Sequence, residues 1–180
     1  METNYISKRL KLILPVFALL MLTSFLVNAQ EKAAITLTDN EIVSVPDFDA
    51  FCGEIGTVTL TGEPFDFDGE GDMDIIWPEE DGEITVEEGA ITILWEWRAP
   101  GGTWANAEGV KGNGVNDASY VDVVGGVTVT VTGYYDFLVD PTLAEDIEFR
   151  RRVHAIDVDD DATSASVPSN ILAFEYLGDL

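Results

Sequence analysis

Ile91-Thr92-Ile93-Leu94-Trp95-Glu96-Trp97-Arg98 is the stretch on which the fold turns. Ile91, Ile93, Trp95 and Trp97 share one parity, and Thr92, Leu94, Glu96 and Arg98 share the other. Successive side chains of a strand point to opposite faces, so this alternation predicts one buried face and one solvated face. The four bulky apolar residues are expected to lie inward, against a second layer of sheet.

The same period recurs on both sides of this stretch. Thr57-Val58-Thr59-Leu60-Thr61 alternates, and so does Val127-Thr128-Val129-Thr130-Val131-Thr132. Ala33–Leu37, Ile42–Val45, Tyr135–Val139, Ile147–Val158 and Ile171–Tyr176 read as further strands. Turn signals separate them at Gly101-Gly102, Gly112–Asn116, Gly125-Gly126 and Asp159–Asp161. No long stretch carries helical periodicity, and Pro141–Asp146 has room for one turn. Short strands with turn signals between them predict an all-β antiparallel sandwich of about seven to eight strands.

Ile147–Val158 makes the sharpest side-chain predictions. Glu148, Arg150, Arg152 and His154 fall on its outward face, and Phe149, Arg151 and Val153 on its inward face. Glu96 should meet Arg150 or Arg152 across the ladder. Arg151 must pair with a carboxylate or reach the edge, because an unpaired buried charge is costly.

The first residues set the compartment. Lys8, Arg9 and Lys11 precede a largely apolar run from Leu12 to Val27, and Val27-Asn28-Ala29 fits a cleavage site. That is a signal-peptide pattern, so residues 1–29 are excluded from fold reasoning and the mature chain is expected to begin at Gln30. The apolar run is short for a membrane span and is broken by Pro15, Thr23 and Ser24. The expected product is secreted or held at the cell surface, with no membrane span after cleavage. Residues 30–49 read as an N-terminal extension or first strand, and residues 50–180 as one sandwich domain with an acidic insertion at 63–89.

The formal net charge is −25, and loss of three basic residues and one acidic residue with the leader takes it to −27. A polyanion of this kind repels nucleic acid and anionic membranes, whereas cations and basic partners fit it. Apolar residues make up 46% of the chain, so a core can form despite the charge. Cys52 is the only cysteine, which excludes an intrachain disulfide.

Several segments together resemble bacterial immunoglobulin-like domains of secreted and surface proteins of gliding bacteria. Cys52–Thr61 resembles their opening B strand, and Ile93–Trp97 with Gly101-Gly102-Thr103-Trp104 their C strand and following turn. Ile147–Val153 resembles their aromatic-Arg-Arg-Val strand F, and Ser169-Asn170-Ile171 the start of strand G. The resemblance spans roughly residues 50–176. It implies an immunoglobulin-like sandwich, an adhesion or spacer role, and a core Trp on strand C. The chain departs from those domains in lacking a second Cys in the F–G hairpin, which reads Asp157–Ala162 here, and in carrying the insertion Glu63–Gly89.

No catalytic residues are expected. His154 is the only histidine and has no nucleophile elbow beside it. Carboxylates are too abundant for any pair to mark a glycosidase. The strongest polar cluster is Asp66-Phe67-Asp68-Gly69-Glu70-Gly71-Asp72-Met73-Asp74. Its alternating carboxylates, from Asp66, Asp68, Glu70, Asp72 and Asp74, suit calcium, which takes six to eight oxygens. It departs from an EF-hand loop where Trp77 replaces the bidentate Glu. The alternative is a solvated acidic loop. Surface proteins or glycans are the expected partners, and an alternative function is a carbohydrate-binding module that stacks exposed Trp77 and Trp104 on sugar rings.

Overall fold

The structure is a computed structural model that describes residues 34–44, 46–66, 73–160 and 163–178. Among these residues every regular element is a strand. In chain order they are β1 (Thr36–Leu37), β2 (Ile42–Ser44), β3 (Ala50–Phe51), β4 (Thr59–Gly62), β5 (Phe65–Asp66), β6 (Met73–Ile76), β7 (Glu79–Glu80), β8 (Glu83–Ile84) and β9 (Glu88–Arg98). There follow β10 (Ala105–Asn106), β11 (Gly112–Asp117), β12 (Tyr120–Val124), β13 (Val127–Thr132), β14 (Tyr134–Val139), β15 (Ile147–Asp157), β16 (Ser164–Pro168) and β17 (Leu172–Tyr176). No helix among the described residues is long and apolar enough to cross a membrane.

The strands form several sheets, none closed into a barrel. The largest runs β12-β13-β9-β15-β17-β3, with β10 beside β9 and β16 beside β15. A second runs β11-β14-β4-β2; β1-β6-β5 and β7-β8 make smaller ones. The long strands β9 and β15 pair antiparallel over ten positions, from Glu148↔Arg98 to Asp157↔Gly89. Their alternation is the one expected from the sequence. Ile91, Ile93 and Trp95 are buried, and Trp97 is half-buried.

A two-stranded ribbon built from β11–β12 and β13–β14 passes from one main sheet to the other. β11 pairs β14 in the four-stranded sheet, whereas β12 pairs β13 in the larger one. The ribbon crosses between them at Ala118, whose N–H donates to the Gly133 carbonyl at 3.0 Å. Gly133 has φ +117°, and a Cβ there would stand 2.5 Å from the Ile93 carbonyl oxygen, so only glycine fits this corner. Gly112–Asn116, expected to be a turn, is therefore strand. Its glycines allow close approach instead, since side chains at Gly112 and Gly114 would strike Phe137 and Tyr134.

The core has two parts. Ile91, Ile93, Val127, Val129, Val131, Val153 and Ala155 pack in one, together with Met73, Ile75, Trp77 and Val86. The segment read as an acidic insertion thus supplies core residues; its alternation was masked by the carboxylates around it. Leu60, Trp95, Phe137, Val139, Ile147, Phe149 and Phe174 pack in the other. Trp95 stacks on Phe137 at 5.6 Å between centroids, joining the large sheet to the four-stranded one, and Phe137 continues to Phe149 and Phe174. On the inward face of β15, Phe149 belongs to one part and Val153 to the other. Arg151 stands between them.

Candidate functional site

Arg151 is fully buried, at 0% exposure, on a strand whose inward neighbours are apolar. Its Nε donates to Asn40 Oδ1 at 2.8 Å and its Nη1 to the Glu63 carbonyl at 2.5 Å. Burial pulls its pKa down to about 10, and the nearby Glu63, Tyr135 and Asp136 act in the opposite sense. Room for the guanidinium comes from Gly62, where any Cβ would fall on it. Where a carboxylate or the sheet edge is expected for Arg151, an amide oxygen and a backbone carbonyl accept from its Nε and Nη1 instead.

The same position is where β15 changes partners. It pairs β17 over Ile147–Phe149 and β16 over Arg152–Ile156, so on the side away from β9 the backbone of Arg151 lacks a ladder neighbour. Ser169 fills the gap. Its Oγ accepts the Arg151 N–H at 2.8 Å, and its own N–H donates to the Arg151 carbonyl at 2.7 Å. Asn40 Nδ2 donates to Val167 O at 2.8 Å and to Arg151 O at 3.3 Å. Asn170 Oδ1 accepts the Ile42 N–H at 2.8 Å and so ties β2 to this seam. Ser169-Asn170 thus has a physical task. Asn40, Ser169 and Gly62 were not read as a group because 129 positions separate Asn40 from Ser169; the inward parity of Arg151 was the one signal that such partners must exist.

On the outward face of β9 and β15, Glu96 accepts from Arg150 Nε at 2.6 Å and from Arg152 Nε at 3.1 Å, as the register requires. Arg98 pairs with Glu148. Trp104 lies against this ladder, with the Arg98 and Arg150 guanidiniums 4.4 and 4.1 Å from its ring centroid. Trp77, in the short connection after β6, is buried at 6%, its ring packed onto Gly89. These placements take away the paired exposed indoles that the sugar-stacking alternative required. His154 is half-buried on the outward face, opposite Thr92 and Ser166.

Of the five carboxylate residues expected to hold calcium, Asp68, Glu70 and Asp72 lie outside the described residues. Asp66 ends β5, Asp74 lies in β6, and the two are direct neighbours in a parallel ladder. The ends of the acidic loop are thereby held side by side. Asp74 also accepts the Thr38 N–H through its carbonyl at 3.1 Å, which anchors that end to β1. No protein-family model, curated protein or solved structure matches this chain.

Proposed function

We propose that the chain is a non-catalytic, secreted or cell-surface immunoglobulin-like module that serves in adhesion or as a structural spacer, with residues 66–74 as its calcium loop. Strand order is the observation that carries this reading. Constant-type immunoglobulin domains arrange their strands A-B-E-D in one sheet and C-F-G in the other. With β2, β4, β9, β11, β14, β15 and β17 taken as A to G in chain order, one sheet here reads A-B-E-D and the path β9-β15-β17 reads C-F-G. Trp95 then stands on C in the core, where that fold places its Trp. The role follows from export and this architecture, not from a reactive group. For the loop, the Asp66–Asp74 neighbourhood brings two of its carboxylate-bearing residues together before any ion binds.

The test has two parts. Full-length chain expressed in a bacterial host should appear outside the cytoplasm with a mass beginning at Gln30; a cytoplasmic product retaining residues 1–29 would sink the export reading. Beads coated with mature protein should then adhere to cells of the producing organism above albumin-coated beads. Equal retention would remove the adhesive role.

A further inference from the structure

We propose that the β12 edge of the large sheet accepts an added strand from a partner polypeptide, one with apolar residues at alternate positions and a Lys or Arg facing Asp122. Among the described strands β12 pairs only with β13, on one side. Thr128 donates its N–H to the Glu87 carbonyl at 2.9 Å, so the even residues of β13 turn toward β9 and the odd ones toward β12. By the observed register, Tyr120, Asp122 and Val124 are the residues bonded to β13. The N–H and C=O groups of Val121 and Val123 therefore point off the sheet. Their side chains are 67% and 65% exposed, the two most exposed large apolar residues of the described chain.

Soluble proteins usually guard such an edge with Lys, Pro, a bulge or a covering element. β12 has neither Lys nor Pro, and its pairing to β13 is unbroken. Its one guard is Asp122, whose Oδ1 accepts the outward Val123 N–H at 2.7 Å. A basic side chain on an incoming strand would draw that carboxylate away and free the donor.

The surroundings select the sign of the partner. No Lys or Arg occurs in β11, β12 or β13. Asp117 lies exposed before β12. At the far end the β7–β8 hairpin, with exposed Glu79, Glu80, Asp81 and Glu83, abuts the turn at Gly125 through Ile84. A second copy of this chain would bring another net charge of −25 to the same edge. An extended basic–apolar strand matches the edge in shape and charge, with main-chain bonds giving affinity and alternate side chains specificity.

The experiment uses the mature protein at about 0.15 M salt, where diffuse charge attraction is screened beyond roughly 8 Å. The probes are two capped synthetic pentapeptides, Val-Lys-Val-Lys-Val and Val-Glu-Val-Glu-Val, followed by NMR amide shifts. The Lys peptide should move the Val121 and Val123 amides and slow their exchange, and the Glu peptide should not. Val121→Pro should weaken binding at least tenfold, because that N–H makes no bond within the sheet and its loss spares the fold. Asp122→Asn should reduce the preference for Lys over Glu and serves as the second variant if the proline is not tolerated. Shifts confined to the acidic hairpin, equal binding of both peptides, or equal binding to Val121→Pro would each overturn the proposal. So would self-association of the free protein that Val121→Pro abolishes, since the occupant would then be a second copy.

Discussion

Replacing Asn40 by Ala tests the seam around Arg151 directly. Asn40 makes three hydrogen bonds there: one from the buried Arg151 Nε to its Oδ1, and two from its Nδ2 to backbone carbonyls. A bond to a charged group contributes about 1.5–3 kcal/mol, and a neutral one about 0.5–1.5. The Nδ2 bond to Arg151 O is long at 3.3 Å and belongs at the low end. The sum is about 2.5–5 kcal/mol, overlapping the usual cost of about 3–5 kcal/mol for stranding a buried charge. Domains of this size hold about 5–15 kcal/mol in total, so Asn40→Ala should lower the melting temperature by roughly 10 °C. Urea melts of Asn40→Ala, Arg151→Met and the double variant complete a cycle. In the Met background no charge remains to strand, so loss of Asn40 should cost at least about 1.5 kcal/mol less. Additive effects, or Asn40→Ala within about 0.5 kcal/mol of the parent, would refute the argument that Asn40 holds Arg151 in the core.

Trp95→Ala should cost about 3–5 kcal/mol in a urea melt, because the ring is buried and stacked on Phe137. Millimolar calcium should raise the melting temperature more than magnesium or sodium at equal ionic strength, and Asp68→Asn with Asp72→Asn should remove the difference; equal shifts from all three ions would indicate screening alone. Burial first, then Tyr135 and Asp122, raises the Tyr120 pKa to about 12. Folding thus holds the neutral phenol. This contribution is full below pH 10 and is lost as pH rises toward 12, so stability should fall across that window less steeply in Tyr120→Phe.

Strand parity was legible wherever polar and apolar residues alternate cleanly. It gave the inward Ile91–Trp95 face, the Glu96 ladder and the buried Arg151. It failed where chemistry blurred the period. Gly112 and Gly114 looked like turn residues, yet they are strand positions pressed against aromatic rings. Met73, Ile75, Trp77 and Val86 were hidden among carboxylates, although all four are buried. β12 was missed because Val121, Val123 and Val124 give no alternation. The partners of Arg151 were not legible, because contacts between residues 18 to 111 positions apart leave no local pattern.

The two-sheet order A-B-E-D and C-F-G is most directly tested by NOE spectroscopy on uniformly labelled mature protein. Cross-strand NOEs should join Phe137 to Leu60 in one sheet and Val153 to Ile93 in the other. Ring NOEs between Trp95 and Phe137 should link the two layers. Backbone NOEs placing β14 beside β15 in a single sheet, or a Trp95 ring with no contact to Phe137, would contradict the account.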